Sequence, residues 1–184
     1  EVGLGGCDDE AAAGHAHHIE SEEGRTYIHA FGDDDVMAGQ GTIGLEIAEG
    51  LAAVETVVVA VGGGGLISGI ATVMDSETDA RVIGVQAEGA ASAARSLEKG
   101  EIVERDSVDT IADGIATRKV GDATFEVIRE RVDEIVTVSD PEIANALTSL
   151  LERSKTLVEG AGAVALAAVI QRRFDYADGE TIVP

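Results

Sequence analysis

Tryptophan is absent and aromatic residues make up 3% of the 184 positions, so whatever core this chain buries is built from Ala, Val, Ile, Leu and Gly. Lysine is scarce too. Lys99, Lys119 and Lys155 stand beside ten Arg, and these 13 basic side chains face 35 Asp and Glu, a net charge of −22. A surface of that sign repels phosphate backbones and anionic headgroups, which argues against nucleic acid and membranes as partners. Cys7 is the only cysteine, so no internal disulfide and no cysteine-based zinc cluster can form. No basic, apolar, small-residue leader opens the chain, and a secretory signal is not expected. The longest uncharged run, Thr56 to Met74, is nominally of membrane-spanning length. It holds five glycines and is flanked by Glu55 and Asp75, which fits a strand, a turn and a helix better than a membrane span. There is no internal repeat and no low-complexity linker.

What remains is a chain with 45% hydrophobic residues, long enough to bury a core and far from the composition of a disordered protein. Its acidic, Lys-poor, small-residue character suits a surface hydrated in concentrated salt, where screening relieves self-repulsion. The expectation is a cytoplasmic protein of a salt-loving microbe.

Hydrophobic periodicity predicts a short opening strand, a polar helix over about Asp8 to Glu23, and a strand Thr26 to Phe31. Next come a glycine-spaced loop from Ala38 to Thr42 and a helix N-capped by Thr42. The β-branched run Thr56 to Val61 predicts a strand buried on both faces of a parallel sheet, Leu66 to Met74 a helix, and Arg81 to Gln86 a second such strand, together one βαβ unit. Helices over Ala90 to Leu97 and Gly121 to Arg131 and a strand Glu134 to Val138 follow. Ser139-Asp-Pro-Glu142 opens a capped helix reaching about Lys155, Gly160 to Ile170 is a small-residue helix, and Glu180 to Pro184 begins a last strand. The fold class is α/β, a parallel twisted sheet with helices on both faces.

The chemistry concentrates in Gly62, Gly63, Gly64 and Gly65. Four glycines between a buried strand and a helix let backbone amides turn towards one point, beside the positive end of the helix, and so suit a phosphate. A dinucleotide reading can be built from Gly63-x-Gly65-x-x-Ser68 with Glu88 as the ribose acid, but Ser68 replaces the third glycine and four consecutive glycines have no place in that fingerprint. A phosphate-binding module without catalysis is a further alternative.

Ala38-Gly-Gln-Gly-Thr-Ile-Gly-Leu-Glu46, Val61-Gly-Gly-Gly-Gly-Leu-Ile-Ser-Gly69, Val82-Ile-Gly-Val-Gln86, Ile111-Ala-Asp-Gly-Ile115 and Val158-Glu-Gly-Ala-Gly-Ala163 resemble, in order and spacing, the threonine (serine) dehydratases of the pyridoxal phosphate fold-type II enzymes. The resemblance covers nearly the whole chain. It implies that Gly62 to Gly65 and Leu66 hold the phosphate of pyridoxal 5'-phosphate, that Gly114 lies beside the cofactor ring, and that Glu159 stands near it; at a helix start a carboxylate is also favoured by the dipole alone. Asp113 reads as a turn former. The implied reaction is α,β-elimination of L-threonine or L-serine to 2-oxobutanoate or pyruvate plus ammonia, with a serine-racemase-like activity as the alternative.

The same resemblance places the Schiff-base lysine and an asparagine-containing substrate loop before Glu1, and none of Lys99, Lys119 or Lys155 has the right setting, so no catalytic residue is assigned. Residues 1–37 then correspond to the end of a small domain and 38–184 to most of a large cofactor domain, the fold being incomplete and the fragment inactive by itself. Family members commonly form dimers or tetramers. Gly3, Gly5, Gly32 and Asp34 depart from the family pattern, and glycine weakens a strand, so order is expected to be weak over the first 40 residues. Gln86 and Ser92 stand where metal-activated relatives carry carboxylates. His15, His17 and His18, with Cys7, lack the spacing of a metal site, and no metal is assigned.

Overall fold

The computed structural model describes residues 9–51 and 53–184. The chain divides into two compact units, Glu1–Ala30 and Phe31–Pro184. In the first, helix α1 (Asp9–Glu23) forms as expected and ends at Gly24, whose φ of +65° lies in the left-handed region and whose amide closes on Glu20 O at 3.0 Å. The strand predicted over Thr26 to Phe31 does not form. A strand needs a ladder partner, and the four strands among the described residues pair only with one another. The Tyr27 amide instead donates to Glu20 Oε1 (2.8 Å), holding that carboxyl below its ordinary pKa, and the Tyr27 ring lies 4.1 Å from the ring of His17. The predicted opening strand lies outside the described residues. Within the first 40 residues, 9–23 and those from 34 onward are helical.

In the second unit, helix α2 (Asp34–Gly50) starts eight residues before Thr42. Asp33 is its N-cap, accepting from the amides of Asp35 (2.9 Å) and Val36 (3.3 Å), and Asp34 and Asp35 sit favourably in the first turn. Thr42 lies inside the helix and donates to Gly39 O at 2.8 Å. The Gly-Gln-Gly-Thr segment is therefore helix; its Gly39 faces open space, while Gly41 and, two residues beyond the segment, Gly44 are buried against the helix that follows the first strand, where a methyl on Gly44 would fall 2.9 Å from Val73 Cβ.

The sheet is built from β1 (Thr56–Ala60), β2 (Arg81–Ala87), β3 (Glu134–Val138) and β4 (Ile182–Val183), in the order β3-β2-β1-β4, every pair parallel. Helix α3 (Gly65–Glu77) joins β1 to β2, as the βαβ reading requires, and α4 (Ser92–Lys99) and α5 (Asp122–Arg131) precede β3. Alternate strand residues feed two cores. Val57, Val59 and Val82 meet Ile67, Ile70 and Met74 of α3 and Phe125 and Ile128 of α5 on one face. Val58, Ile83, Val85 and Val136 meet α6 (Asp140–Ser149) and α7 (Gly160–Ile170) on the other. Helices thus cover both faces, which is why the strands read as unbroken apolar runs.

Helix α6 opens with the expected capping box: the Ser139 amide donates to Glu142 Oε2 at 2.8 Å and lowers that carboxyl's pKa, with Arg173 paired to the same carboxylate. It does not run to Lys155 as one α-helix, since Leu150–Ser154 form a π-helical turn that Lys155 ends at φ 57°. Strand β4 is held through Glu180, which accepts from Thr56 Oγ1 (2.5 Å) and Arg81 Nη2 (3.0 Å).

Candidate anion-binding site

The loop between β1 and α3 leaves the sheet at the C-terminal end of an interior strand. Gly62 to Gly65 are all buried, and Gly64, at φ +98° and ψ −3°, is the N-cap of α3 without any side chain to close the helix start. Among the described residues none accepts a hydrogen bond from the amides of Gly62, Gly63, Gly64, Gly65 or Leu66. Buried amides without partners are rare, and four in a row, with that of the half-buried Leu66 beside them at a helix N-terminus, have the donors and the partial positive charge that an anion needs.

The surroundings explain why this loop must be glycine. A methyl on Gly63 would fall 2.5 Å from Cδ2 of Phe31, one on Gly65 2.9 Å from Phe31 Cβ, and one on Gly64 2.8 Å from Thr124 Cβ. Phe31 and α5 thus close on the loop from the Cα side and leave its amides free. The carbonyls are occupied: Gly63 O accepts from the Gly121 amide (3.1 Å) and Thr124 Oγ1 (2.7 Å), and Gly64 O from the Ser68 amide (3.0 Å).

Gly62 approaches the turn Asp113–Ile115, where its missing methyl would be 3.1 Å from Ile115 Cα. Gly114 in that turn faces the start of α7, where a methyl would lie 3.0 Å from Ala161 Cβ and 3.1 Å from Glu159 Oε1. Gly160 has no room for a side chain against the Ile111 carbonyl and Ala112 Cα. The fold therefore brings Gly62 to Gly65, Leu66, Gly114 and Glu159, far apart in sequence, into one contiguous region. Glu159 is the N-cap residue of α7, yet its exposed carboxylate makes no capping bond. Asp113 accepts from the neighbouring Gly114 amide at 3.0 Å, as a turn former does.

Other residues singled out in the sequence lie elsewhere. Lys99, Lys119 and Lys155 are exposed, and Lys155 Nζ donates to Glu152 O at 2.6 Å. Glu88 is exposed in a short 3₁₀ turn after β2. Gln86 is fully buried with both ends of its amide used, Nε2 to Val61 O (3.1 Å) and Oε1 from the Ala94 amide (3.0 Å). Ser92 is buried nearby. His17 Nδ1 contacts Glu20 Oε2 at 3.1 Å, Cys7 lies outside the described residues, and no cluster of three metal-ligating side chains occurs among those described. Phe31 and Thr124 escaped sequence reasoning. The one signal for Phe31 is that it is among five aromatic residues in the chain, while Thr124 carries none beyond its place in the first turn of α5.

The fold and this loop define an α/β protein with a parallel sheet and a backbone anion cradle at a strand's C-terminal end. The family model for pyridoxal-phosphate dependent enzymes matches residues 2–183, and the chain belongs to that family. It is 49% identical over 183 residues to the L-threonine ammonia-lyase of Geobacter sulfurreducens, covering 99% of this chain and 46% of that protein. The processed form of threonine deaminase isoform 2 from Solanum lycopersicum superposes with a TM-score of 0.91 at 37% identity, over 99% of this chain and 51% of that one. Maize serine racemase superposes with a TM-score of 0.91 at 30% identity, over 100% and 56%. The chain spans under half the length of its curated relative. No helix among the described residues is long and apolar enough to cross a membrane.

Proposed function

We propose that the protein carrying this chain is a pyridoxal-phosphate-dependent ammonia-lyase that converts L-threonine, and L-serine, to 2-oxobutanoate or pyruvate with net release of ammonia, the water lost from the β-carbon being returned when the released enamine is hydrolysed. The observation that carries the reading is the run of five acceptor-free amides leading into α3, from the four buried glycines and the half-buried Leu66, in a chain nearly half identical to an L-threonine ammonia-lyase. The bound cofactor supplies an electron sink for the carbanion formed at the substrate's α-carbon.

The residues of this chain bind and orient. Gly62 to Gly65 and Leu66 hold the phosphate through backbone N–H groups, so a protein with a strongly negative field needs no basic side chain at the site. Gly114, closed in by Ala161 and Glu159, would lie beside the ring with its backbone, and Glu159 would help to fix the ring's orientation and protonation. By the family resemblance, the lysine that bonds the cofactor and the substrate-binding loop would be supplied from outside this chain. We read the unit Glu1–Ala30 as the end of a small domain and Phe31–Pro184 as most of the large one, since a boundary at 37/38 would cut helix α2.

The fit to maize serine racemase favours racemisation as the second reading. The Gln86 amide, saturated by Val61 and Ala94, offers no charged oxygen to a divalent cation there, which supports the lyase. Full-length protein supplied with pyridoxal phosphate and L-threonine should release 2-oxobutanoate, followed by a coupled reductase assay. D-Serine from L-serine with no 2-oxo acid from either substrate would overturn the lyase in favour of the racemase. The acidic, Lys-poor composition suits a salt-rich cytoplasm, and on that reading activity should rise with KCl. A homodimer or homotetramer is expected by light scattering.

A further inference from the structure

We infer that Thr124 is a positioning residue for the anion cradle: its hydroxyl fixes the Gly63–Gly64 peptide so that the Gly64 amide is presented to the ligand. The inference rests on the phosphate reading of the loop and extends it to a side chain outside the loop. Thr124 is fully buried in the first turn of α5, and its Oγ1 donates to Gly63 O at 2.7 Å, the shorter of its two acceptor distances, the other being 3.1 Å to Gly121 O. The Gly121 amide reaches the same Gly63 carbonyl at 3.1 Å. That oxygen is therefore gripped from α5 by two donors.

A trans peptide is planar, with its C=O and the next N–H on opposite sides. Pinning the Gly63 carbonyl towards α5 thus turns the Gly64 N–H away from α5, to a side where no described residue accepts from it. Glycine on both sides of this peptide leaves it free to flip. An unrestrained peptide would present its carbonyl to an anion part of the time and repel it. The grip is local and rigid: Thr124 Cβ sits against Gly64, and the Thr124 carbonyl in turn accepts from Ser68 Oγ of α3 at 3.3 Å.

The test compares Thr124→Val, which keeps the shape and loses the hydroxyl, with Thr124→Ser, which keeps the hydroxyl and loses the methyl. Affinities of the full-length apoenzyme for pyridoxal phosphate and for pyridoxal are measured by absorbance, and their ratio reports the phosphate contacts. The expected result is a ratio about tenfold lower in Thr124→Val, a size typical of losing one hydrogen bond that supports a charged ligand. Thr124→Ser should restore it to within about threefold of wild type, and pyridoxal affinity should hold in both. A purely structural role would lower both affinities together. A Thr124→Val ratio equal to wild type, or a Thr124→Ser ratio as low as that of Val, overturns the positioning role while the loop reading stands. A wild-type protein that binds pyridoxal as tightly as pyridoxal phosphate overturns the loop reading itself. If Thr124→Val does not fold, the Ser variant decides: a tenfold loss there refutes the role.

Discussion

Gly69→Ala should destabilise this protein, although alanine is the better helix former. Gly69 lies in α3, and a methyl there would collide with the Met37 carbonyl oxygen and fall 2.6 Å from the Gly41 amide nitrogen and 2.9 Å from Gln40 C. All three obstacles are backbone of α2, which cannot swing aside as a side chain would. A carbon approaches a backbone polar atom to about 3.3 Å at closest, so α2 must retreat by most of an ångström and surrender dispersion contacts along its length. Overpacking of this kind costs about 1–3 kcal/mol, and the rigid obstacle points to the upper part of that range. Against it stands a gain of about 1 kcal/mol from replacing glycine inside a helix. The expected net loss is about 2 kcal/mol, roughly a 30-fold fall in the folding equilibrium constant. Urea unfolding of the full-length apoprotein at constant high salt should show a midpoint lower by about 1 M, for a slope near 2 kcal/mol/M. Gly39→Ala is the control, in the facing helix with no heavy atom within 4 Å of the new methyl, and should raise the midpoint. A Gly69→Ala midpoint at or above wild type, or a Gly39→Ala loss of equal size, would refute the close-packing argument.

Gly64→Ala should weaken pyridoxal phosphate binding at least tenfold in equilibrium dialysis, because φ +98° strains any residue with a Cβ and that Cβ would press on Thr124. Gly63→Ala should be damaging chiefly through the Phe31 ring, so Phe31→Ala should recover part of the stability lost; strict additivity in the double-mutant cycle would contradict the contact. Glu142 has a folded pKa held below its ordinary 4.5 by the Ser139 amide first and Arg173 after it. Its stabilisation is therefore present above about pH 4.5 and lost as pH falls through the lower folded value. Glu142→Ala should cost about 1 kcal/mol at neutral pH in chemical unfolding, a difference that shrinks in acid; a constant difference down to that range would rule out the charge.

Much of the large unit was legible because both of its signals are local. Val57 to Ala60 and Val82 to Val85 are uniformly apolar because both faces of a parallel strand are covered, and the capping box at Ser139 satisfies the first amides of α6 with residues three apart. The glycine loop was legible for the same reason, since a strand, four glycines and a helix are consecutive. The errors arose where a distant partner decides. Thr26 to Phe31 has the alternation of a strand but no neighbour to pair with, and Tyr27 gives its amide to Glu20. The Gly-Gln-Gly-Thr segment looks like a loop, but it is helix, and α3 lies so close to α2 that glycine is needed where they touch, at Gly44 and Gly69. Asp33, not Thr42, starts that helix, because its carboxylate has two free amides to cap.

By itself, then, the sequence determined a parallel α/β core of small aliphatic residues, an acidic composition, a run of four glycines between a strand and a helix, and a family resemblance carried by five ordered motifs. Only the tertiary structure decided how the cradle is aimed. Phe31 and Thr124 are separated from the glycines by tens of residues, and no periodicity reports them. Their packing against Gly63, Gly64 and Gly65, and the hydrogen bonds from α5 to the Gly63 carbonyl, turn four flexible residues into a loop whose amides face one way.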